Sequence, residues 1–520
     1  MVVQLVLIHY HFRPGGVRRV IEMAIPHIAR AVNGTSVLIA SGEAPDAVWL
    51  RHFRELLTPL PVRVLVCPAF SYVSEQSATP LEIQGKIRAA MQEIFDTAGS
   101  RNALVWAHNL GLGRNLLLTS EVVKACESRQ TLLIAHHHDW WLDNRWQRWE
   151  EMRRSGFRTL DAVAKTVFPT GKRVIHVAIN HEDASILQRH FSGRTHWIPN
   201  PSEPPSSPTP ERIRSASSWL RERLKTDAPV WLIPCRLLRR KNIAEALLLA
   251  RWLRPEAWLV TTGAVSSADE VAYGQKLERT ARREGWPLRL GILADNERDK
   301  PSVPELLAAS EAVLLTSIQE GFGLPNLEAV AAARPLIARR LSNVAPDLAE
   351  FGFKFPQTYD EVLVAPDLFN WEAEAQRQKE IFQIWIRQLP RACQRWATPP
   401  TLTASRETPH PVPFSRLTLT AQLEVLCTPP TESWKSCARL NPFLPTWKRR
   451  AAEARLKVAK WPPAASKWLA GSTYGARFAE IVGSHAPEGT VSSGKAAQEE
   501  FIRSRLDPAH QFPLLWRSNS

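Results

Sequence analysis

The sequence predicts an α/β protein with two doubly wound, parallel-sheet domains in tandem and a C-terminal extension. Three observations predict it. Short apolar runs alternate with longer helix-patterned segments, a Pro/Ser-rich break falls near residue 200, and the rhythm fades past residue 400.

Before the break the strand candidates are "VQLVLIHY", "SVLIAS", "VRVLV", "ALVWAHN", "TLLIAHHH" and "KRVIHVAIN", with helical stretches such as 17–31 and 81–97 between them. Continuous apolar runs separated by helices are the mark of a parallel sheet covered on both faces. Residues 199–209, "PNPSEPPSSPT", read as a linker. The rhythm restarts with "VWLIPCR", "AWLVTTG", "LRLGI", "AVLLTS" and "PLIAR". The expected domains are therefore 1–200, 201–400 and an extension over 401–520, which opens on the linker-like "TPPTLTASRETPHPVP" and is rich in Trp, Pro and basic residues. Each doubly wound domain offers a ligand crevice at the carboxyl ends of its strands, and facing crevices would enclose a shared site.

Composition narrows the classes. With 520 residues, 44% hydrophobic and 22% charged, the chain can bury more than one core. A net charge of +15 and a pI near 9.8 suit phosphorylated substrates, nucleic acid or an anionic surface without choosing among them. The six cysteines form no C-x-x-C pair, which reads as reduced thiols rather than a disulfide frame or a zinc site. "MVVQLVLIHYHF" reads as a first strand rather than a signal peptide, and no apolar run reaches the roughly 18 residues of a membrane span. The expected location is cytoplasmic or membrane-peripheral.

The stretch "SIQEGFGLPNLEAVAAARPL" holds two glutamates eight apart around a glycine turn. "AVLLTS" is a buried strand, and "LPNLEAVAAA" is a helix with Pro325 in its first turn. Gly321 and Gly323 let backbone N–H groups approach a ligand, and the helix N-terminus favours an anion there. Glu320 then sits on the turn, and Glu328 one helical turn in, placed to accept from a diol. The alternative is that both acids only complement the helix dipole. Upstream, Arg236 ends a strand in "PCRLLRRKNIAEALLLA" and Lys241 begins a helix. Cations at a helix start oppose the dipole, so an anionic ligand is the natural partner of this pair. Arg239 and Arg240 carry no separate assignment.

"EGFGLPNLEAVAAARP" resembles the E-x7-E motif of family 4 of the retaining GT-B glycosyltransferases (glycosyl transferases group 1), and Arg236 to Lys241 resembles that family's R-x4-K diphosphate clamp. The resemblance spans roughly residues 5–390. It implies a GT-B fold, two Rossmann-like domains facing an interdomain cleft, and a retaining sugar transfer from a nucleotide sugar to a glycan, lipid-linked or small-molecule acceptor. It places Glu320 on the transferred sugar, Glu328 on the ribose, and Gly321, Phe322, Gly323 and Leu324 around the donor. Ala333 stands where the family has a glycine that closes the helix. A phosphorylase or sucrose/trehalose-synthase-like enzyme shares this region, and a catalytically silent binding protein is the reading from another class.

The remaining motifs fall in the first domain. Gly15 and Gly16 of "HFRPGGVRRVIEMA" follow the first strand where the family places a glycine pair beside the donor, with Arg18 or Arg19 toward the acceptor. The "AHHHDWWLDNRW" stretch resembles the family's strand-end "HD" segment, with His138 reaching the sugar; His108 and Asp139 join the acceptor-side set. Consecutive His136, His137 and His138 alternate between sheet faces, so at most two of them share an ion, and no metal is expected. No cofactor is implied beyond the nucleotide-sugar co-substrate, since Arg236 and Lys241 supply the charge a metal would. Asn180 precedes a helix, and Pro201 replaces the glycine of the family's "IPNG" segment. In the extension, residues 446–461 hold six basic residues with Trp447, Ala451, Ala454, Val458 and Trp461 at helical spacing. That pattern allows a helix on an anionic membrane or one packed on the second domain, and nucleic acid is not expected.

Overall fold

The computed structural model describes residues 3–98, 103–204, 208–265, 267–294, 299–400, 402, 408–484 and 493–516. The expected linkers lie partly outside these residues, at 205–207 and 403–407. The chain divides into two compact units. Unit 1 is Met1–Glu203, Ile386–Thr398 and Ala464–His510; unit 2 is Pro204–Trp385, Pro399–Pro463 and Gln511–Ser520.

Unit 1 is built on seven parallel strands: β1 (Val3–Ile8), β2 (Gly34–Ser41), β3 (Val62–Val66), β4 (Ala103–His108), β5 (Leu132–His137), β6 (Val174–Ala178) and β7 (Thr195–Trp197). Their order is β3-β2-β1-β4-β5-β6-β7. Side-chain alternation divides each strand between two cores. Leu5, Leu7, Ile39, Leu104, Trp106 and Ile134 pack under the helix Gly16–Ala31, whereas Val6, Ile8, Val105, Ala107 and Leu133 pack under the helices Pro80–Ala98 and Leu116–Ser128. Burial on both faces is why these strands read as unbroken apolar runs.

Unit 2 repeats the plan with β8 (Val230–Ile233), β9 (Trp258–Thr261), β10 (Leu288–Arg289), β11 (Ala312–Leu315), β12 (Leu336–Arg339) and β13 (Gln357–Tyr359), in the order β10-β9-β8-β11-β12-β13. Trp231, Ile233, Leu259 and Leu314 face one core, Leu232, Val260, Val313 and Leu315 the other. Both units thus carry the Rossmann order, with their direction reversing between β1 and β4 and between β8 and β11. The short strands β7 and β13 were not foreseen, because three residues give no measurable period.

The C-terminal residues do not form a third domain as expected. They are divided between the two units. The helix Gly471–Gly483 lies along Gly16–Ala31 and adds Tyr474, Phe478 and Ile481 to that core. A Cβ at Gly475 would stand 2.6 Å from the His27 carbonyl oxygen, so only glycine permits this approach. In the following helix, Gly494–Arg505, the Phe501 ring stacks on Phe168, and Arg505 meets Asp143 at 2.8 Å, Glu182 at 3.1 Å and Asp183 at 2.5 Å.

The basic stretch 446–461 takes the second of its two readings, packing on unit 2, though not as one helix. The helix there spans only Leu444–Ala452, and Ala454 turns into the left-handed region at φ +52°. Trp447 and Ala451 are buried in unit 2 alongside the helix Ile243–Leu253, while Ala454 and Val458 are exposed. The core of unit 2 therefore uses Trp447 and Ala451 of the five apolar positions. No helix among the described residues is long and apolar enough to cross a membrane.

Two stability outcomes follow from this packing. Arg505→Ala leaves three carboxylates without their shared cation and should lower unfolding stability by about 3 kcal/mol or more, read as a fall in the melting temperature at neutral pH. Ala333 ends its helix at φ +52°, a position that disfavours a Cβ, so Ala333→Gly should raise stability by about 1 kcal/mol in the same assay.

Candidate active site at the switch point of unit 2

β8 and β11 are neighbours at the point where the strand order reverses, and both run out into loops at the crevice. After β8 come Arg236 and a 3-10 turn, Arg239–Lys241, that leads into the helix Ile243–Leu253. After β11 comes the glycine turn, then the helix Leu324–Ala331. The two loops are tied together: the Ile318 N–H donates to the Arg240 carbonyl at 2.8 Å, and the Thr316 hydroxyl donates to the Lys241 carbonyl at 2.9 Å.

At their meeting point the Glu320 carboxylate takes one oxygen to Lys241 Nζ and the other to Arg240 Nη1 at 2.7 Å. Arg240 also donates to the Gln319 carbonyl at 2.9 Å, and Asn343 Nδ2 holds the Glu320 carbonyl at 2.7 Å. Burial would push this carboxyl up, but Arg240 and Lys241, with the Ser317 hydroxyl, hold it down to about 2. Glu320 is therefore no helix cap. It is a largely buried anion, its side chain 13% exposed, locked to two cations, one of which, Arg240, had no role in the sequence reading.

The glycine turn behaves as its composition requires. Gly323 sits at φ +82°, and a Cβ there would stand 2.7 Å from Val344 and 2.8 Å from Asn326. It caps the helix without a side-chain acceptor, leaving the first-turn N–H groups unmet by a cap. Phe322 is buried with its ring 6.3 Å from Phe351, so only its backbone can serve a ligand. Gly321 and Leu324 are half-buried, and Glu328 is exposed one turn into the helix. Arg236 is exposed at the crevice end of β8, and a Cβ at Gly263 would stand 3.0 Å from its Cα, so the neighbouring strand end stays small beside it. A cavity of about 170 Å³ opens beside the turn, lined by Glu320, Gly323, Asn326, Arg340, Leu341 and Val344.

Unit 1 assembles its candidates at its own switch point, after β1 and β4. Gly15 (φ 169°) is extended and Gly16 starts the helix, both exposed, and a Cβ at Gly16 would meet nothing within 4 Å. The fold itself gives no reason for glycine at either place. Arg18 is occupied by its own helix: it pairs with Glu22 at 3.4 Å and lies 5.3 Å over the Trp49 ring. Asp139 pairs with Arg145 at 3.1 Å, and Asn180 caps the helix His181–His190 by accepting from the Asp183 N–H.

His108 Nδ1 and His138 Nε2 face each other at 3.0 Å, and the N–H groups of His138 and Asp139 both donate to Asn109 Oδ1. Burial lowers the His138 imidazole to about 4 and the His9 imidazole to about 3, and it lowers those of His108 and His136 as well, so this cluster is neutral at pH 7. As expected from alternation, His137 turns to the other face, where it bonds His176 at 3.1 Å. Of the three consecutive histidines two, His136 and His138, meet, as alternation requires, and His108 joins them from β4: ring nitrogens of the three lie within 4.8 Å of one another. Nε2 of His108 and Nε2 of His136 are buried without a hydrogen-bond partner among the described residues. The Trp106 indole, which can only donate, points at His136 Nδ1 from 3.1 Å. The proton of His136 is thereby placed on Nε2.

Sequence reasoning found Glu320 and Lys241 but missed Arg240, Asn343, Asn109 and Tyr474. "RRK" gave no sign of which arginine turns inward, and Tyr474 reaches His136 at 3.3 Å from 338 residues away. A folded-state value below the ordinary 4.5 means that Glu320 stabilises the fold above that pH and loses this contribution as pH falls toward about 2. The size is up to about 3 kcal/mol. Denaturant unfolding measured from pH 6 down to pH 2 should show this slope in the wild type and a flatter one in Glu320→Gln.

The sequence model for "Glycosyl transferases group 1" matches residues 220–387, which contain Arg236, Lys241, Glu320 and Glu328. Mannosylglucosyl-3-phosphoglycerate synthase of Petrotoga mobilis is 24% identical over 397 residues, covering 74% of this chain and 73% of that protein. O-antigen chain mannosyltransferase B of Escherichia coli is 32% identical over 117 residues, 22% of this chain and 29% of its own. Among solved structures, Anabaena Alr3699/HepE in complex with UDP and glucose superposes with a TM-score of 0.49 at 15% identity, covering 93% of this chain and 100% of that one. The match to the glycosyl transferases group 1 thus covers the part of the chain that carries this site.

Proposed function

We propose that unit 2 binds a nucleoside diphosphate sugar and that the enzyme transfers its sugar to a hydroxylated acceptor with retention of configuration. One observation carries this reading: two basic residues of the β8 loop and the glutamate of the β11 turn meet at the switch point, beside a helix N-terminus with no side-chain cap.

In this reading Arg236 and Lys241 take the diphosphate, and the first N–H groups of Leu324–Ala331 add partial positive charge. As the bond from sugar to phosphate breaks, charge grows on the leaving diphosphate, and two fixed cations stabilise it without a divalent metal. Glu328, exposed one turn into the helix, accepts from the ribose hydroxyls. Glu320 orients the sugar; it is paired too tightly to serve as a covalent nucleophile, which favours displacement on the same face assisted by the leaving group. The neutral cluster of His108 and His138 offers hydrogen bonds to sugar hydroxyls without adding charge. The relatives named for mannosyl transfer and for a phosphoglycerate glycoside support a hexosyl donor.

The test is incubation with UDP-, GDP- and ADP-sugars, following hydrolysis and the melting temperature. One nucleotide should raise the melting temperature, and the absence of any shift with all three would sink this reading. Glu328→Ala should weaken nucleotide binding about 10- to 100-fold, the worth of a hydrogen bond at a charged group. Glu320→Ala should lower kcat far more than it raises the dissociation constant, and negligible effects from both would return these glutamates to a structural role.

A further inference from the structure

We infer that Arg240 is the positioning residue that keeps Glu320 aimed and anionic while Lys241 turns to the donor's diphosphate. The inference rests on the donor reading above for Lys241, but its geometry stands in the protein alone.

Lys241 cannot fully serve two anions. Its side chain is 8% exposed and ends on Glu320. When a diphosphate arrives, it competes with Glu320 for that ammonium. A buried carboxylate that loses its only cation becomes costly and gains a proton instead. Arg240 removes the difficulty. It grips the second Glu320 oxygen at 2.7 Å and the Gln319 carbonyl at 2.9 Å with the same Nη1, so it is fixed relative to the turn it holds. Its own carbonyl accepts from the Ile318 N–H, which anchors the residue to that turn from both ends. The charged and titratable groups around Glu320 are Arg240 and Lys241 from the 3-10 turn, Cys235 and Arg236 from the end of β8, and Arg339 and Arg340 from the end of β12 along the shared cavity. Of these, Arg240 and Lys241 are ion-paired with the carboxylate. Arg240 is therefore distinguished from Arg236 and Lys241: it faces the carboxylate rather than the phosphate.

A carboxyl titration of the unliganded protein, labelled with 13C-glutamate and assigned with Glu320→Gln, tests this without any substrate. Arg240→Gln should raise the Glu320 midpoint by at least one pH unit, and Arg240→Lys should recover part of the shift. An unchanged midpoint overturns the inference whatever the enzyme's substrate. Calorimetry with the nucleoside diphosphate identified for the wild type is the second measurement. In Arg240→Gln, protonation of Glu320 frees Lys241, so affinity should be at least threefold tighter at pH 5.5 than at pH 8, relative to the wild-type ratio. The double variant with Glu320→Gln should abolish this excess. Affinity that falls equally at both pH values would make Arg240 a phosphate ligand and overturn the assignment. If no nucleotide binds the wild type, the donor reading fails while the titration still decides the role of Arg240. Circular dichroism and melting curves confirm that each variant is folded.

Discussion

Glu245 has no exposed surface, and both of its oxygens are held by Arg339, at 2.5 and 2.6 Å. Tyr359 donates to the same carboxylate at 2.5 Å, Asn242 at 2.9 Å, and Arg339 reaches on to Glu361. A charge this deep is tolerable only when every lone pair is met, and removal of one partner strands the other. The pair therefore fixes the start of the helix Ile243–Leu253 against the ends of β12 and β13. Asn242 stands in the left-handed region at φ 46° immediately before that helix, and its carbonyl accepts from Thr316 at the end of β11. Lys241 is the preceding residue. The position of the cationic turn thus derives from a buried ion pair behind it.

The same requirement shapes the front of the crevice. Glu320 is largely withdrawn from solvent with an ionised carboxyl, and its charge is met by two cations from a different loop. In the unliganded state this pairing occupies Lys241. In the proposed reading, donor binding is an exchange of anions at a fixed cation rather than the filling of an empty basic patch. Exchange of this kind favours a ligand with more charge than one carboxylate, as a diphosphate has, over a neutral sugar.

Unit 1 meets the rule with its C-terminal residues. Arg505 arrives from far along the chain to neutralise Asp143 and Asp183, and Tyr474 and Phe478 complete the core under Trp106. Asp143 follows Trp140, whose ring stacks on His137 and lies 4.8 Å from Phe501. The segment that looked like an appendage is part of the support for the histidine cluster. Of its described tryptophans, Trp447 and Trp516 are buried, whereas most of its described basic residues, Lys435, Arg439, Arg449, Lys457, Lys460 and Lys467 among them, are exposed.

What the sequence determined by itself was local. Runs such as "VQLVLI" and "AVLL" declared buried parallel strands because both of their faces are apolar, and "EGFGLPNLE" declared a strand-to-helix turn because glycine and proline restrict the backbone in known ways. The glutamate spacing and the Arg/Lys pair were legible for the same reason: each is a short-range pattern. Tertiary structure decided everything that depends on which side chains meet. The choice of Arg240 over Arg239, the arrival of His108 beside His138, and the division of residues 401–520 between two units have no signature in spacing. They follow from burial, which makes each charge and each ring nitrogen seek a partner wherever the chain can bring one.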